Sequence, residues 1–521
     1  MYLRNPIGFA PGDFIELGVA AALVLLAFLW EPFLDRLARH TPVWMVIIAI
    51  LPVAIRLAFL PHYPVPVPDI YDEFGHLFVA DTLRHFRLSN PPNALPQFFE
   101  TFFIFQRPTY SSIYPPGQGL VLLFGWAGVV ITTAAFCALC YWMLLGWTTP
   151  RWALVGGLLA VMEFGPLSQW MNSYWGGSFA AAASCLVFGA LPRKKPVILG
   201  IGIALNLITR PFETVFLVIA VLAYGLPIRK LLIAGLVVLP ATGLMLAQNR
   251  SVTGNWTTLP YSLSQYQYGV PASLTFQTQA IPHNKLTREQ DLEYRSQLAF
   301  SSGSYFKRLV YRIRYYRFYF YAPLYLALLA FLVTIRTYRY LWVAGTALLF
   351  ALGTNFFPAF QYHYLAAIVC LFILMSVTGL ERLPAKAATV IIGLSMAQFA
   401  TGHVEERIPE RRIAVARQVE KIPGKLLIFV RYWPNHIFQD EWVYNAADLA
   451  GARVIWARDL GEPEDEKLRN AYPDRAVWLL EPDAIPPALA PYKKPEPPLP
   501  PVPEKKPITP GLVLENVPEI R

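Results

Sequence analysis

Long apolar blocks alternate with short polar connections over most of the chain. Each block is roughly 15–30 residues long, and a helix of that length, rising about 1.5 Å per residue, crosses the hydrocarbon core of a membrane. Two of the blocks, Leu231–Ala247 and Tyr364–Leu380, contain no charged residue. The pattern predicts about twelve transmembrane helices, at residues 14–34, 43–60, 117–147, 152–165, 177–191, 197–210, 211–226, 231–248, 318–335, 340–357, 364–380 and 387–402. The block at 117–147 is long for one helix and short for two, so we expect a turn near Gly125.

The composition excludes an ordinary soluble enzyme. Of the 521 residues, 55% are hydrophobic and only 15% are charged, which is far from the balance of soluble domains. The net charge of +10 comes from short basic clusters beside apolar blocks, an arrangement that sets membrane orientation and argues against nucleic-acid binding. The cysteines lie within apolar blocks and are expected to be small buried hydrophobes rather than a redox motif; they are Cys137, Cys140, Cys185 and Cys370.

Basic residues are concentrated in alternate connections between the predicted helices. Those connections contain Arg36, Arg39, Arg151, Arg193, Lys194, Lys195, Arg229, Lys230, Arg336, Arg339, Arg382 and Lys386. The intervening short connections, 166–176 and 358–363, contain no Lys or Arg. The positive-inside rule therefore places the first set in the cytoplasm, and it places the long loops at 61–116 and 249–317, with everything after Gly402, outside. We expect a multi-pass protein of a bacterial inner membrane with a periplasmic C-terminal part.

The chain divides by composition into three parts. Residues 1–402 form the predicted membrane domain, whose first block is expected to be a retained anchor because no signal-peptide cleavage site follows it. Residues 403–484 are predicted to form a small α/β domain with a mainly parallel sheet. Its predicted strands are Leu426–Val430, Arg453–Trp456 and Ala476–Leu480, and its predicted helix is Pro463–Ala471. Residues 485–521 are rich in Pro and Lys and are predicted to be an extended, disordered tail.

Charged residues at the ends of the predicted spans cluster on the outer side. Under the predicted topology, Arg56, Glu163, Arg210 and Glu213 fall near outer ends, and none falls at the midplane. Transporters bind their substrates near the bilayer midplane. An enzyme that acts on a lipid headgroup needs its polar groups at the interface, so the distribution favours an enzyme.

The first long loop contains the most distinctive motif, Pro68-Asp69-Ile70-Tyr71-Asp72-Glu73-Phe74-Gly75-His76. Apolar residues then recur at the spacing of an amphipathic helix, which we expect to lie on the membrane surface. Asp72 and His76 share a face at i, i+4, and Glu73 lies one step round. The residues alone leave open a reactive carboxylate site or a solvated helix face with an acidic start. Glu73 and His76 also form half of a metal site without a visible second half, so no metal residue is assigned and a divalent-cation requirement stays open.

An Asp-Glu pair that opens an amphipathic helix just after an early span resembles the GT-C superfamily of membrane glycosyltransferases. The nearest relatives in pattern are the protein O-mannosyltransferases and the lipid A aminoarabinose transferases. Ile113-Tyr114-Pro115-Pro116-Gly117 resembles their Pro-Pro segment, and Gln361-Tyr362-His363-Tyr364 resembles their late aromatic segment beside the donor site. The resemblance covers about residues 1–402, in order and topology more than in identity. Two features depart from it: Tyr114 stands where many relatives carry a Lys, and a span precedes the usual first one.

The resemblance implies a GT-C-like helical membrane fold and transfer of a sugar from a polyprenyl- or dolichyl-phosphate donor at the outer face. Carried over to this chain, Asp72 is the general base on the acceptor hydroxyl, and Glu73 orients the acceptor or shares that role. His76 is a second neighbour, and Tyr362 and His363 border the donor. Tyr114 is kept as a substrate-binding residue, although the family's Lys contact to the donor phosphate does not transfer to it.

Arg210 is the predicted ligand of the donor phosphate. It lies with Glu213 in Asn206-Leu207-Ile208-Thr209-Arg210-Pro211-Phe212-Glu213, where Pro211 breaks the helix at a tight outer turn. A guanidinium offers a fixed fork that matches phosphate oxygens and stabilises developing phosphate charge. The alternative is an arginine that reaches to the interface and pairs with Glu213.

Three further stretches of the outer loops have two interpretations each. The basic and aromatic segment Lys307–Arg317 either binds the donor phosphate or forms an interfacial helix that grips anionic lipid. The aromatic and amide-bearing stretches Asn172–Gly177 and Tyr261–Tyr268 either stack on a sugar or form part of a membrane-interface belt.

Taken together, these features predict a glycosyltransferase that uses a polyprenyl-phosphate-sugar donor and an acceptor that is a lipid, a glycan or a protein. Membrane lipids are its other expected partners. Two alternatives remain: a non-catalytic assembly protein whose C-terminal domain binds a partner, for instance through Arg431–His436, and a transporter of lipid-linked sugar. The sequence does not identify the sugar or the acceptor.

Overall fold

The structure is a computed structural model, and it describes residues 11–301, 303–402, 404 and 409–492, without the side chains of Pro11 and Tyr362. Most of the described chain is helical. The α-helices are α1 Pro11–Trp30, α2 Leu34–Ala38, α3 Thr41–Ala58, α4 Tyr71–Arg84, α5 Pro116–Leu122, α6 Trp126–Leu144, α7 Pro150–Phe164, α8 Ser178–Arg193, α9 Pro196–Leu207, α10 Pro211–Ala223, α11 Ile228–Thr253, α12 Pro260–Tyr268, α13 Arg288–Ser301, α14 Tyr305–Tyr315, α15 Leu324–Phe331, α16 Tyr338–Thr354, α17 Val369–Arg382, α18 Ala385–Ala400, α19 Glu410–Glu420 and α20 Glu462–Ala471. The strands are β1 Ile104–Phe105, β2 Ser111–Ser112, β3 Leu426–Val430, β4 Val454–Arg458, β5 Ala476–Glu481 and β6 Ala488–Pro491.

Apolar helices fall on every block that the hydrophobic pattern singled out, which is the signature of a membrane protein. Among the described residues, five are long and apolar enough to cross a membrane, or up to six if the bent pair Tyr305–Tyr319 and Leu324–Arg336 is one span. The five are Gly12–Ala38, Thr41–Ala58, Trp126–Leu144, Ile228–Thr253 and His363–Arg382. Several other apolar helices are shorter, so the predicted number of about twelve spans is not confirmed.

The block at 117–147 is broken where the sequence predicted a turn. Helix α5 ends at Leu122 and α6 begins at Trp126. Gly125 lies between them with φ +57°, a backbone conformation that a glycine adopts without steric cost. The short α5 is therefore free to leave the direction of α6 and pack against α4 in the first long loop.

The membrane part has a continuous buried core formed mainly by α6–α10, α15, α16 and α17. Its four cysteines are buried and free, as predicted; they are Cys137, Cys140, Cys185 and Cys370. Aromatic rings also pack in this core. Trp147 is stacked on Trp342, with 5.9 Å between the ring centroids. Such close packing makes this region a rigid support for the two long loops.

Residues 409–492, hereafter the C-terminal unit, form a mainly parallel α/β sheet in the order β4-β3-β5-β6. Strand β3 pairs in parallel with β4 and β5, and β6 joins β5 antiparallel. The three predicted strands and the predicted helix coincide with β3, β4, β5 and α20 to within two residues. The sheet extends beyond the predicted boundary at 484, because residues 488–491 form β6. The rest of the predicted Pro-rich tail, from residue 493, lies outside the described residues.

The C-terminal unit packs on the two long loops, 61–116 and 249–317, through a buried ionic contact and an apolar one. Arg458 at the end of β4 donates to Glu289 of α13 at 2.6 Å and to the carbonyl oxygen of Glu100 at 2.6 Å. It also donates to Glu441 of its own unit. Phe98 and Phe99 of the first long loop enter the core beside β3. The unit is thus joined to both long loops.

Candidate active site

Helix α4 is the centre of the candidate site, and Glu73 fixes its start. One carboxylate oxygen of Glu73 accepts hydrogen bonds from the backbone N–H groups of Asp69 at 2.9 Å and Ile70 at 3.2 Å. The other accepts from the backbone N–H of Tyr174 at 2.8 Å. Burial raises the pKa of Glu73, and these backbone bonds oppose that rise. Glu73 therefore joins the first long loop to the segment before α8, and its predicted role towards the acceptor stays a prediction.

Asp72 is held by the hydroxyl of Tyr114. The Tyr114 hydroxyl donates a hydrogen bond to Oδ1 of Asp72, and the backbone carbonyl of Tyr114 accepts one from Gln248 at 2.8 Å. The Tyr114 ring lies across α4 at Gly75, where a Cβ atom would be only 2.6 Å from the ring. Tyr114, which the sequence kept as a substrate-binding residue, is thus the direct partner of the predicted base.

The surroundings of Asp72 make it a carboxylate that titrates near neutral pH. Burial raises the pKa of Asp72 to about 7, in opposition to the hydrogen bond from Tyr114, which lowers it. The negative charge of Glu293 adds to the rise, and the positive charge of Arg210 counters it. A general base is most effective when its pKa lies near the working pH.

His76 lies on the same side of α4 as Asp72, as the i, i+4 spacing predicted. Its ring centroid is 4.1 Å from that of Tyr114, with the planes tilted by 34°. Burial lowers the pKa of His76 to about 3, and the charge of Arg210 lowers it further. Its Nδ1 atom is buried and has no hydrogen-bond partner among the described residues. The imidazole is therefore neutral at pH 7, with one ring nitrogen unused.

The α9–α10 turn, which carries Arg210, packs closely against α5. The backbone N–H of Gly117 donates to the carbonyl of Ile208 at 2.8 Å. A Cβ atom at Gly117 would lie 2.2 Å from the Thr209 hydroxyl, so the Pro-Pro-Gly segment and the turn approach as closely as backbones allow. Helix α9 ends at Leu207 and α10 starts at Pro211, which leaves Arg210 at the junction.

The Arg210 guanidinium lies beside Glu213 and Tyr364. It lies 3.8 Å from the Glu213 carboxylate and 5.4 Å from the centre of the Tyr364 ring. Its charge also acts on Asp72 and His76. The pairing with Glu213 is therefore present, and the predicted contact of Arg210 with a donor phosphate stays a prediction.

The late aromatic segment borders the same cluster. His363 is buried, with its ring 4.8 Å from that of Trp175 and 4.8 Å from that of Tyr364. Tyr364 in turn lies beneath Arg210. The side chain of Tyr362 lies outside the described residues, so its predicted role stays a prediction.

Sequence reasoning missed several residues around Asp72. Tyr71 donates to Glu293 of α13 at 3.3 Å, and the Tyr261 ring lies 6.2 Å from that of Tyr114. Tyr444 of the C-terminal unit stacks on Phe74 at 4.3 Å. The aromatic stretch around Tyr261 was one signal in the sequence. Glu293 and Tyr444 gave none, because they lie hundreds of residues from α4.

The expectation that α4 lies on the membrane surface is wrong. Its apolar side packs on protein: Phe74 is covered by Tyr444, and Phe78 is buried against Tyr110 and Ala447. An amphipathic pattern shows that one face is apolar, but membrane and protein cover such a face equally well. The C-terminal unit is what covers it here.

The stretch Asn172–Gly177 is used largely within the protein. Asn172 accepts a hydrogen bond from the buried Arg56 at 2.6 Å and donates to the carbonyl of Pro166 at 2.9 Å. The hydroxyl of Tyr174 donates to the carbonyl of Pro66 at 3.0 Å. These contacts favour a structural role over sugar stacking for Asn172 and Tyr174.

The described residues contain no group of three or more His, Cys, Asp or Glu side chains placed to hold a metal ion. Glu73, one half of the two-residue pattern, is already bonded to backbone N–H groups. The question of a divalent cation therefore stays as the sequence left it.

Comparison with known proteins gives a weak likeness of overall structure. No protein-family model matches the chain, and no curated protein matches it. The oligosaccharyltransferase of Archaeoglobus fulgidus in its apo form is similar at 11% identity and a TM-score of 0.40, over 85% of this chain and 69% of that chain. The same protein in complex with Zn and sulfate gives 11% and 0.42, over 84% and 67%. Neither likeness is close enough to assign a family or a function.

Proposed function

We propose that the protein is a GT-C-type glycosyltransferase that moves a sugar from a polyprenyl-phosphate-linked donor to an acceptor. The observation that carries this proposal is the juxtaposition of Asp72, Tyr114 and His76 with Arg210 beside the apolar helices. The Asp72 carboxylate titrates near neutral pH, and the Arg210 guanidinium is a cation with a planar, fixed arrangement of donors. The neighbouring apolar helices would place both groups near the membrane that holds a polyprenyl chain.

In the proposed reaction, Asp72 takes the proton of the acceptor hydroxyl while the hydroxyl oxygen forms a bond to the anomeric carbon of the sugar. The bond between that carbon and the phosphate oxygen breaks, and the polyprenyl phosphate leaves with the electron pair. Arg210 stabilises the charge that develops on the phosphate. Tyr114 orients Asp72 through its hydroxyl, and the neutral His76 lies beside the Tyr114 ring.

Asp72→Asn tests the proposal, because it keeps the shape of the side chain and removes the basic oxygen. A general base contributes about 10²–10⁴-fold, so turnover of polyprenyl-phosphate sugars by the reconstituted protein should fall by that factor, with donor binding retained. Asp291→Asn is the matched control, since Asp291 forms a surface ion pair with Arg295 at 2.8 Å. Full activity of both Asp72→Asn and Glu73→Gln would refute the assignment of the base, and absence of any sugar turnover by the wild-type protein would favour a non-catalytic assembly protein.

We further propose that this reaction takes place on the periplasmic side of a bacterial inner membrane, with the C-terminal unit on that side. The distribution of Lys and Arg over the short connections supports this orientation. A reporter fused after Gly402 should be active only in the periplasm, and one fused after Lys195 only in the cytoplasm. The opposite result at either position would reverse the orientation.

A further inference from the structure

Helix α14 runs at a steep angle to the helix that follows it. The segments Tyr305–Tyr319 and Leu324–Arg336 are bent by 115° relative to each other. The second segment is part of the apolar helical body. A right-angle bend would lay the first segment flat on the membrane if the second crosses it, and 115° is close to that geometry. With Leu324–Arg336 across the membrane, this bend would place α14 roughly along the membrane surface.

One face of α14 is fixed to the protein by Arg312. The Arg312 side chain is buried and donates to the backbone carbonyls of Thr354 at 2.7 Å and Ala359 at 2.9 Å. Its guanidinium also lies 5.1 Å from the centre of the Phe360 ring. Thr354 at the end of α16, with Ala359 and Phe360 after it, therefore holds one face of α14 inward.

The opposite face of α14 is apolar and exposed. Phe306, Val310 and Ile313, spaced at i, i+4 and i+7, are 76%, 58% and 55% exposed. Beside them lie the exposed side chains of Lys307, Arg314 and Arg317. None of these three forms a salt bridge with an acidic side chain within the described part of the chain. The face therefore combines apolar groups and free positive charge.

We propose that α14 is an interfacial helix that binds the anionic phosphate headgroups of membrane lipids. Phe306, Val310 and Ile313 would enter the boundary between headgroups and acyl chains, while the three basic side chains pair with lipid phosphate. A lipid surface is favoured over a protein partner because the following segment Leu324–Arg336 also exposes large apolar side chains, Leu326, Leu329 and Val333. This proposal does not depend on the glycosyltransferase proposal.

The depth of α14 is tested by spin labelling of the full-length protein in lipid nanodiscs. The native cysteines are buried, so a nitroxide attaches at Val310→Cys or Ile313→Cys. Both labels should be more accessible to molecular oxygen, which dissolves in the membrane, than to a water-soluble nickel chelate. The control is Asp474→Cys in the C-terminal unit, where the native side chain is 56% exposed, and it should show the reverse. Equal access of the nickel chelate to all three positions would overturn the proposal.

The headgroup preference is tested by titrating the purified protein in neutral detergent with phosphatidylglycerol or phosphatidylcholine. Replacing Lys307, Arg314 and Arg317 together by Gln should weaken phosphatidylglycerol binding by on the order of 100-fold and leave phosphatidylcholine binding unchanged. The control variant replaces the exposed Arg417, Lys421 and Lys467 of the C-terminal unit by Gln. Unchanged phosphatidylglycerol binding, or competition by millimolar inorganic phosphate as strong as that by the lipid, would overturn the proposal; the latter would indicate a site for free phosphate.

Discussion

At the scale of single residues, the hydrogen bond between Tyr114 and Asp72 controls when the proposed base is available. Asp72 accepts a proton only in its ionised form, and its pKa in the free protein is about 7. The bond from Tyr114 stabilises that ionised form and so lowers the pKa. The same hydroxyl that orients the carboxylate therefore also sets the pH range in which it acts.

We predict that kcat/KM of sugar transfer rises with pH through about 7 and then levels off, because the acidic form of Asp72 is inactive. Tyr114→Phe removes the bond that favours the ionised form, so the midpoint should move to higher pH. A pH–rate profile of the two proteins measures this shift. A midpoint that stays in place or moves to lower pH contradicts the role given to Tyr114.

At the scale of elements, helix α4 contacts other parts of the protein on three of its sides. Asp72 and His76 face Tyr114, Phe74 and Phe78 face the C-terminal unit, and Glu73 binds the backbone before α8. Such a helix has little freedom to move without disturbing the site. It is also sensitive to side-chain volume at the position where Tyr114 crosses it.

Gly75→Ala should preserve the stability of helix α4 and disturb the geometry of the candidate site. Alanine favours a helix over glycine by about 1 kcal/mol, but its Cβ would lie 2.6 Å from the Tyr114 ring. We expect a folded protein in which sugar transfer falls by about 10²-fold, since displacements near 1 Å have that effect. Gly235→Ala in α11 is the control, because no atom lies within 4 Å of its Cβ position. Equal activity of the two variants would show that the ring is not fixed as described.

The sequence predicted this element well, but not its partners. The helix, its acidic start and the shared face of Asp72 and His76 follow from spacing within a few residues. The partners lie far along the chain: Tyr114 is 42 residues from Asp72, and Ala447, whose backbone N–H donates to Asp81 at 2.7 Å, is 366 residues away. Periodicity shows which face is apolar, and only the tertiary fold shows what covers it.

At the scale of the whole molecule, Arg458 joins the C-terminal unit to the two long loops. The guanidinium is buried between the carboxylates of Glu289 and Glu441 and the carbonyl of Glu100. The strands around it were predictable from short apolar runs, as β3 shows. The docking of the unit was not, because Glu289 and Arg458 are separated by 169 residues.

Arg458→Met should destabilise the protein by about 3–5 kcal/mol, because it leaves two buried carboxylates without their counter-charge. Thermal unfolding of the wild-type protein and of the variant, both solubilised in detergent, measures the loss of stability. Arg469→Met is the control, since the Arg469–Glu462 pair at 2.6 Å is partly exposed and should contribute under about 1 kcal/mol. Similar unfolding of the two variants would mean that Arg458 does not hold the unit in place.

The contact between Asp81 and Ala447 also has a consequence for biosynthesis. The two residues are 366 positions apart, and at about 5–20 residues per second a ribosome needs on the order of 20–70 seconds to make the intervening chain. During that interval Phe74 and Phe78 have been synthesised, but the segment that covers them has not. The candidate site is therefore completed only after the apolar helices up to residue 400 have been made.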